Sequence, residues 1–452
     1  MPAPLILHVP YTYFPDPAGG TEVYVEGLAR QLGGLGYPSA IAAPGSKRER
    51  YEHNGLDVCR FATSGSPRIE HAYGAPDEVA AAGFAEIVAE LRPAIVHLHA
   101  RTAAVSVRLV EIAHAAGARA VLTYHTPTVS CARGTMMLYG ASPCDGEIQR
   151  LRCTSCALAA RGVPRTLGTL AALIPNRVGA RLGPLGDRAR PARALQIPSL
   201  IAGAHAQFRS LMAKADHIVA VCAWVENVLI RNGVPADRIT LSRQGIGGFE
   251  TPQSAAGSRP AGGPLRLAYF GRVDPAKGPD LLVAALARIP DAQVSLDIFA
   301  IRQAGADAGY DRLTAMAARD RRVRVRPAVA ADEVRAVMAG YDLIAIPSRW
   351  LETGPLVALE AFAAGVPVLG SDLGGIAELV RDGIDGVLVA PDNVQAWADK
   401  MLDLAMRRWK VDDLRTGVRW PRSIAAAAED MAGVYRQLLD AAVTPFPAAA
   451  AI

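Results

Sequence analysis

The sequence predicts an α/β protein of two doubly wound parallel sheets facing a central cleft, and three observations carry that expectation. The chain has 452 residues, more than one hydrophobic core usually fills. Short apolar runs alternate with helical stretches of ten to fifteen residues, the pattern of strands buried under helices on both faces. The alternation breaks once, at Gly247–Pro264, "GGFETPQSAAGSRPAGGP", which is rich in Gly, Pro and Ser and has no hydrophobic period. Such a segment is expected to link two domains.

In chain order, "LILHVP" is expected to be a buried strand, followed by the loop "YFPDPAGG" and the helix "TEVYVEGLARQL". "SAIAAP" and "DVCRFA" are strand-like, "DEVAAAGFAEIVAEL" helical, "AIVHLHA" a strand, "AAVSVRLVEIAHAAG" a helix and "RAVLTYH" a strand. "DHIVAVC", "AWVENVLIRNG" and "DRITLSRQG" close the first domain, expected over 1–246, with an insertion at about 128–210. After the linker, "LRLAYFG", "VSLDIFA", "RVRVRPA", "DLIAIPS", "VPVLGSD" and "GVLVAP" repeat the pattern over 265–415. "VQAWADKMLDLAMRR" is helical, a final helix is expected over 416–440, and 441–452 is a tail. Ligands of such sheets bind beyond the carboxyl ends of the strands.

Composition narrows the class. The chain is 51% hydrophobic and 20% charged with a formal charge of +5, a balance that gives no case for nucleic acid. No apolar run approaches the roughly 18 residues of a membrane span. The start, "MPAPLILHVP", lacks the charged n-region of a signal peptide. Six cysteines in a chain this long are no disulfide scaffold, so a reduced, cytoplasmic setting is expected.

The stretch "SRWLETGPLVALEAFAAGVPVLGSD" holds two glutamates, Glu352 and Glu360, with seven residues between them. Pro355 suits the first position of a helix, where its missing N–H costs nothing, and Gly365 suits its end. The free N–H groups of such a helix start attract an anion. Glu360, five residues on, could bind ribose hydroxyls, and Glu352 could reach a neighbouring sugar; a solvated helix face is the plain alternative. "YFGRVDPAKGPDLLVAAL" places Arg272 after a strand and Lys277 in the next loop, two cations suited to a diphosphate or, equally, to a charged surface turn. Gly19 and Gly20 precede a helix in "PAGGTEVYVEGL", where glycine lets a backbone approach a ligand.

Together these residues resemble the retaining nucleotide-sugar glycosyltransferases of family 4, with the GT-B fold of two Rossmann-like domains. The likeness runs through "GGTEVYVEGLARQL", "ADHIVAVCAWVENVLIRNGVPADRITLSRQGI", "GRVDPAKG" and "PSRWLETGPLVALEAFAAGVPVLGSDLGGIAELV". The final helix, "RWPRSIAAAAEDMAGVYRQLL", matches one that crosses back to the first domain in that fold. The resemblance implies that Arg272 and Lys277 contact the donor diphosphate and that Glu360 binds the ribose. It implies that Glu352 contacts hydroxyls of the transferred sugar, and that Gly354, Pro355 and Leu356 lie near the phosphates. Gly19 and Gly20 would close over the donor, and His125, in "LTYHTP", would stand beside its sugar. His125, Glu352, Arg272 and Lys277 are thereby the catalytic candidates; His97 and His99 are expected in the core or at its rim. Ala300 and Thr353 depart from the family's usual glycine and phenylalanine. No catalytic metal is expected. The activity implied is transfer of a sugar from a nucleotide diphosphate sugar to a hydroxyl acceptor, glycan or lipid-linked, with retention. A non-catalytic sugar-nucleotide binding protein, or another two-domain enzyme such as a nucleotide-sugar epimerase, is the alternative.

The insertion does not belong to the common pattern. Cys131, Cys144, Cys153 and Cys156 are separated by twelve, eight and two residues, and the closing C-x2-C is a chelate common in zinc sites. A structural zinc is expected, against plain thiols or an iron–sulfur cluster. Between Ala157 and Ser210 stand eight arginines (161, 165, 177, 181, 188, 190, 193 and 209) and one acid, Asp187, among apolar clusters. Such basic amphipathic segments lie on anionic membranes, so peripheral contact at the inner face of a membrane is expected, with a lid over the acceptor site as the alternative.

Overall fold

The computed structural model describes residues 3–16, 19–65, 68–175, 190–247, 263–302 and 307–441. The chain divides into two compact units, Met1–Arg243 with Ile424–Ile452, and Gln244–Ser423.

The first unit contains β1 (Ile6–Val9), β2 (Ser39–Gly45), β3 (Glu49–His53), β4 (Leu56–Ala62), β5 (Ile95–Leu98), β6 (Arg119–Tyr124), the short β7 (Met137–Leu138) and β8 (Ser142–Pro143), β9 (His217–Ala220) and β10 (Ile239–Leu241). Eight of these form one sheet in the order β10-β9-β6-β5-β1-β2-β4-β3, and every pairing is parallel except β3 with β4. The parallel strands are apolar because helices cover both faces: Ile6, Leu7 and Val9, and Val96 and Leu98, are fully buried. Phe84 and Phe208 pack from the helices Glu78–Leu91 and Arg190–Lys214 into this core. The edge strand β3 was not anticipated. Its sequence, Glu-Arg-Tyr-Glu-His, is charged, as sheet edges are when they resist pairing with another chain; Arg50 forks onto Asp57 of β4 at 2.9 and 2.6 Å.

The second unit contains β11 (Leu265–Arg272), β12 (Val294–Ile301), β13 (Val323–Pro327), β14 (Leu343–Ile346), β15 (Val368–Ser371) and β16 (Gly386–Val389), an all-parallel sheet in the order β13-β12-β11-β14-β15-β16. Side chains of β11 alternate between two cores. Leu265, Leu267 and Tyr269 join Leu281 and Trp397 on one face, and Ala268 joins Ile344, Phe362 and Ile376 on the other.

The C-terminal segment differs in detail from the helix expected over 416–440. Helix Arg408–Gly417 stays with the second unit, the chain crosses through 418–423, and helix Ile424–Ala441 belongs to the first. There Gly27 of helix Gly20–Gly34 leaves room for Ile424: a Cβ would meet its side chain at 3.2 Å. Tyr435 is fully buried and its hydroxyl lies 2.6 Å from His97 Nδ1. Of the expected linker, residues 248–262 lie outside the described residues.

Candidate functional site

The strand order reverses direction between β11 and β14: β12 and β13 extend the sheet on one side, β15 and β16 on the other. The crevice beyond the carboxyl ends of two such strands is where open α/β sheets bind ligands. Arg272 ends β11, and the segment Pro347–Gly354 follows β14.

These segments are tied together. Glu352, 5% exposed, accepts three hydrogen bonds on one carboxylate oxygen, from Lys277 Nζ, Ser348 Oγ and Trp350 Nε1, each at 2.7 Å. Lys277 Nζ also stands 5.2 Å from the centre of the Trp350 ring. The Lys277 loop is a turn built on Asp274, whose carboxylate accepts the Ala276 N–H at 2.7 Å. It closes at Gly278, φ 69°, where a side chain would run into the Pro347 carbonyl oxygen. Arg349 braces both loops: its N–H donates to the Ala276 carbonyl at 2.7 Å and its guanidinium forks onto Asp280 at 2.7 and 3.0 Å. After β15, the start of helix Gly374–Leu379 presses against the same segment. Gly375 N–H donates to the Glu352 carbonyl at 2.6 Å, and a Cβ on Gly375 would lie 2.7 Å from that oxygen.

The next helix is Leu356–Ala363. Pro355 is its extended N-cap rather than its first helical residue, and no side chain caps the helix start. Gly354, φ 154°, turns the chain into it. The N–H groups of this first turn are therefore donors available to an anion. Glu360 lies on the second turn. Its carboxyl has no hydrogen-bond or ion-pair partner among the described residues, and burial pushes it up to about 7. The Arg272 guanidinium likewise has no hydrogen-bond or ion-pair partner among the described residues; its carbonyl accepts the Tyr269 hydroxyl at 2.6 Å.

In the first unit the strand order reverses between β1 and β5. A row of buried histidines runs across this point. His8 Nδ1 is 3.0 Å from His99 Nε2, and His99 Nδ1 is 3.1 Å from His125 Nε2. His97 sits between the Tyr435 hydroxyl and the Thr123 hydroxyl, at 2.6 and 2.7 Å. Burial drives all four towards the neutral form, His8 and His125 to about 3. A neutral imidazole has one donor and one acceptor nitrogen, so neighbouring rings of this row can hydrogen-bond to one another, the tautomers setting the direction. Tyr24 packs edge-on against His125, with ring centres 5.2 Å apart. Tyr24 comes from helix Gly20–Gly34, whose N-cap is Gly19; the Gly19 N–H donates to the buried Glu22 carboxylate at 2.9 Å.

Comparison with known families decides the classification. A "Glycosyl transferase 4-like domain" matches residues 19–245 and "Glycosyl transferases group 1" matches residues 264–407. The chain belongs to the family 4-like, group 1 glycosyltransferases. Curated relatives include a D-inositol 3-phosphate glycosyltransferase of Mycobacterium sp. (strain KMS), 36% identical over 149 residues, 31% of this chain and 32% of the relative. A D-inositol 3-phosphate glycosyltransferase of Nocardia farcinica (strain IFM 10152) is 33% identical over 211 residues, 43% of this chain and 46% of the relative. The matches thus span less than half the length of these curated relatives. Among solved structures, Anabaena HepE in complex with UDP and glucose is similar in fold, with TM-score 0.61 and 16% identity over 95% of this chain and 99% of that one. Sucrose-phosphate synthase of Thermosynechococcus elongatus has TM-score 0.64 and 18% identity over 97% and 100%. The fold is GT-B.

For this glycosyltransferase, the structure ties Lys277 to Glu352, on the segment that leads through Gly354 and Pro355 into the helix starting at Leu356, with Arg272 at the end of the neighbouring strand. Lys277 and Glu352, expected to meet different parts of a ligand, also meet each other. His125 directly follows β6, which ends at Tyr124, and His97 and His99 are buried. Residues not singled out from sequence are Glu22, Tyr24, His8, Ser348, Trp350 and the pair Gly374–Gly375. "GGTE" offered a signal for Glu22, as an acid three residues past an N-cap commonly turns back to it; the others needed the fold. Of the arginine-rich segment, residues 176–189 lie outside the described residues.

Proposed function

We propose that the chain transfers a sugar from a nucleoside diphosphate sugar to a hydroxyl acceptor with retention of anomeric configuration. The observation that carries this is the grip of Lys277, Ser348 and Trp350 on Glu352, beside a helix start with no side-chain cap and an arginine without a partner among the described residues, all at the switch point of the second sheet. The helix N–H groups, Arg272 and Lys277 would hold the diphosphate, stabilising charge as it leaves the sugar. Glu360, ionised, would accept both ribose hydroxyls. Glu352, fixed by Lys277, Ser348 and Trp350, would orient the transferred sugar. Gly19, Gly20 and neutral His125, on the first unit, are further candidates for donor contact. The relatives' printed activity and the UDP and glucose of the HepE structure support a nucleotide-sugar donor.

A carboxylate nucleophile for double displacement is not assigned. Glu352 is held by three donors and turned into the loop, so front-face substitution, with the leaving phosphate accepting the acceptor's proton, fits the residues better. The protein then contributes charge and positioning, without a catalytic metal.

The acceptor is proposed to be a glycan or a lipid-linked one reached at an anionic membrane. Support comes from the arginine-rich insertion and from Leu167, Leu170 and Leu173, which are 56%, 63% and 58% exposed. No helix among the described residues is long and apolar enough to cross a membrane.

A thermal-shift series with nucleoside diphosphates and their sugars tests the donor. A ligand at a hundred times its dissociation constant stabilises by about 2.7 kcal/mol, and Glu360→Ala should remove the shift. Release of nucleoside diphosphate only with acceptor establishes transfer, and the anomer formed tests retention. Tight donor binding without turnover on any hydroxyl acceptor would instead indicate a binding protein.

A further inference from the structure

The structure assigns a second site, independent of the donor site: we propose that Cys131, Cys144, Cys153 and Cys156 bind one divalent, thiophilic cation of the zinc class as a structural centre. All four line a single cavity of about 40 Å³, and all four are free thiols. They reach it from different elements. Cys131 follows the turn after β6, Cys144 follows β8, and Cys153 and Cys156 lie on helix Arg150–Ala159. The last two are three apart and share a helix face.

The loop carrying the first two is shaped at a conformational cost. Met136 and Tyr139 are non-glycine residues at φ 53° and 54°, and Gly134, Gly140 and Gly146 at φ 72°, 78° and 77° complete the path. The Cys144 N–H is fixed to the Met136 carbonyl at 2.8 Å. A hairpin of two-residue strands has little core of its own to hold such a path.

Charge points to the occupant. Arg133 and Arg152 line the same cavity, and the buried Nε–H of each has no acceptor among the described residues, although Arg133 also donates to the Cys156 carbonyl at 3.1 Å and Arg152 to Asp145 at 2.6 Å. A neutral thiol is a weak acceptor, whereas a metal-bound thiolate is a strong one. Four thiolates around a divalent cation leave two net negative charges; Arg133 faces them, while Arg152 is shared with Asp145 at 2.6 Å. The cavity suits one ion, and an all-sulfur tetrahedral set favours zinc over harder cations. No three of the four sulfurs stand within 4.8 Å of one another; Cys156 Sγ takes the Tyr139 N–H at 3.1 Å. Closing on an ion therefore requires cysteine χ1 rotations between staggered wells. His8, His97 and His99 do bring ligand atoms within 4.8 Å, but both His97 nitrogens are already engaged.

Metal analysis of the full chain, expressed with zinc and desalted, should find roughly one zinc per chain. Each of Cys131→Ser, Cys144→Ser, Cys153→Ser and Cys156→Ser should lower that content, while Cys59→Ser and Cys222→Ser should not. Because serine variants can misfold, cobalt(II) loading of the unaltered chain gives a second readout, an absorption band from thiolate-to-cobalt charge transfer. Zinc below roughly a tenth of an ion per chain, a cobalt spectrum without thiolate bands, or iron with acid-labile sulfide would each overturn the assignment.

Discussion

Lys277 Nζ lies 2.7 Å from Glu352 Oε1, across 75 residues of sequence, and the carboxylate it meets is almost completely buried. Arg272, on the adjoining strand end, has no such partner among the described residues. The two cations should therefore separate on substitution. Lys277→Met removes the cation from a buried carboxylate that still accepts from Ser348 and Trp350, and should cost about 1–3 kcal/mol of stability. It should also slow transfer on the order of 100- to 1,000-fold. Arg272→Met should slow transfer comparably with little change in stability. Urea denaturation beside steady-state kinetics separates them, and equal stability losses would contradict the difference in pairing.

Glu360 gives a pH signature. Its carboxyl is raised to about 7 from 4.5 because burial penalises the charge. A raised acid binds its proton more tightly folded than unfolded, so its contribution is present below pH 4.5 and is lost as pH rises to 7. Glu360→Gln should gain on the order of 2–3 kcal/mol over the native chain between pH 5 and pH 8. Donor affinity should move the opposite way, rising through pH 7 in the native chain as the carboxylate forms and staying flat in the Gln variant. Parallel stability curves for the two proteins would show that Glu360 is not desolvated.

Two glycines make opposite predictions. A Cβ on Gly375 would lie 2.7 Å from the Glu352 carbonyl oxygen and 2.7 Å from the Thr353 carbonyl carbon. Backbone cannot yield as a flexible side chain can, so Gly375→Ala should cost about 1–3 kcal/mol and displace Glu352, raising KM for the donor. A Cβ on Gly19 meets nothing within 4 Å, and its φ of 176° is open to any residue. Gly19→Ala should leave stability unchanged. A rise in donor KM for that variant would place the donor against Gly19; an unchanged KM would remove Gly19 from the site.

What the sequence revealed follows from how local each signal is. Buried parallel strands such as "LILHVP" and "DLIAIPS" are legible because burial on both faces leaves only apolar residues. The helix start after Gly354 is legible because glycine and proline constrain backbone angles whatever surrounds them, although Pro355 proved to be the cap. β3 was not legible, since an edge strand carries charges and loses the apolar alternation. The grip on Glu352 and the histidine row were not legible either. Lys277 meets Glu352, and His8 meets His99, only after the strand order puts β11 beside β14 and β1 beside β5. The close approach of Gly375 to Glu352 likewise depends on β15 pairing with β14.

Leu167, Leu170 and Leu173 recur every three residues on and just after helix Arg165–Ala172, and all are more than half exposed. The neighbouring Arg161 and Arg165 are held against Tyr73 and Tyr139, the latter at 4.3 Å from the ring centre. An exposed apolar stripe within an arginine-rich segment suits the boundary of an anionic bilayer, where acyl chains take the leucines. Cosedimentation should therefore show binding to vesicles containing phosphatidylglycerol, weaker as salt rises and absent for neutral phosphatidylcholine. Replacing the three leucines with serine should abolish pelleting while leaving the donor-induced thermal shift intact, because the helix lies in the first unit and the donor grip in the second. Pelleting that ignores both salt and the triple substitution would refute the membrane role, and retention by a polyanionic glycan without vesicle binding would assign this face to the acceptor instead.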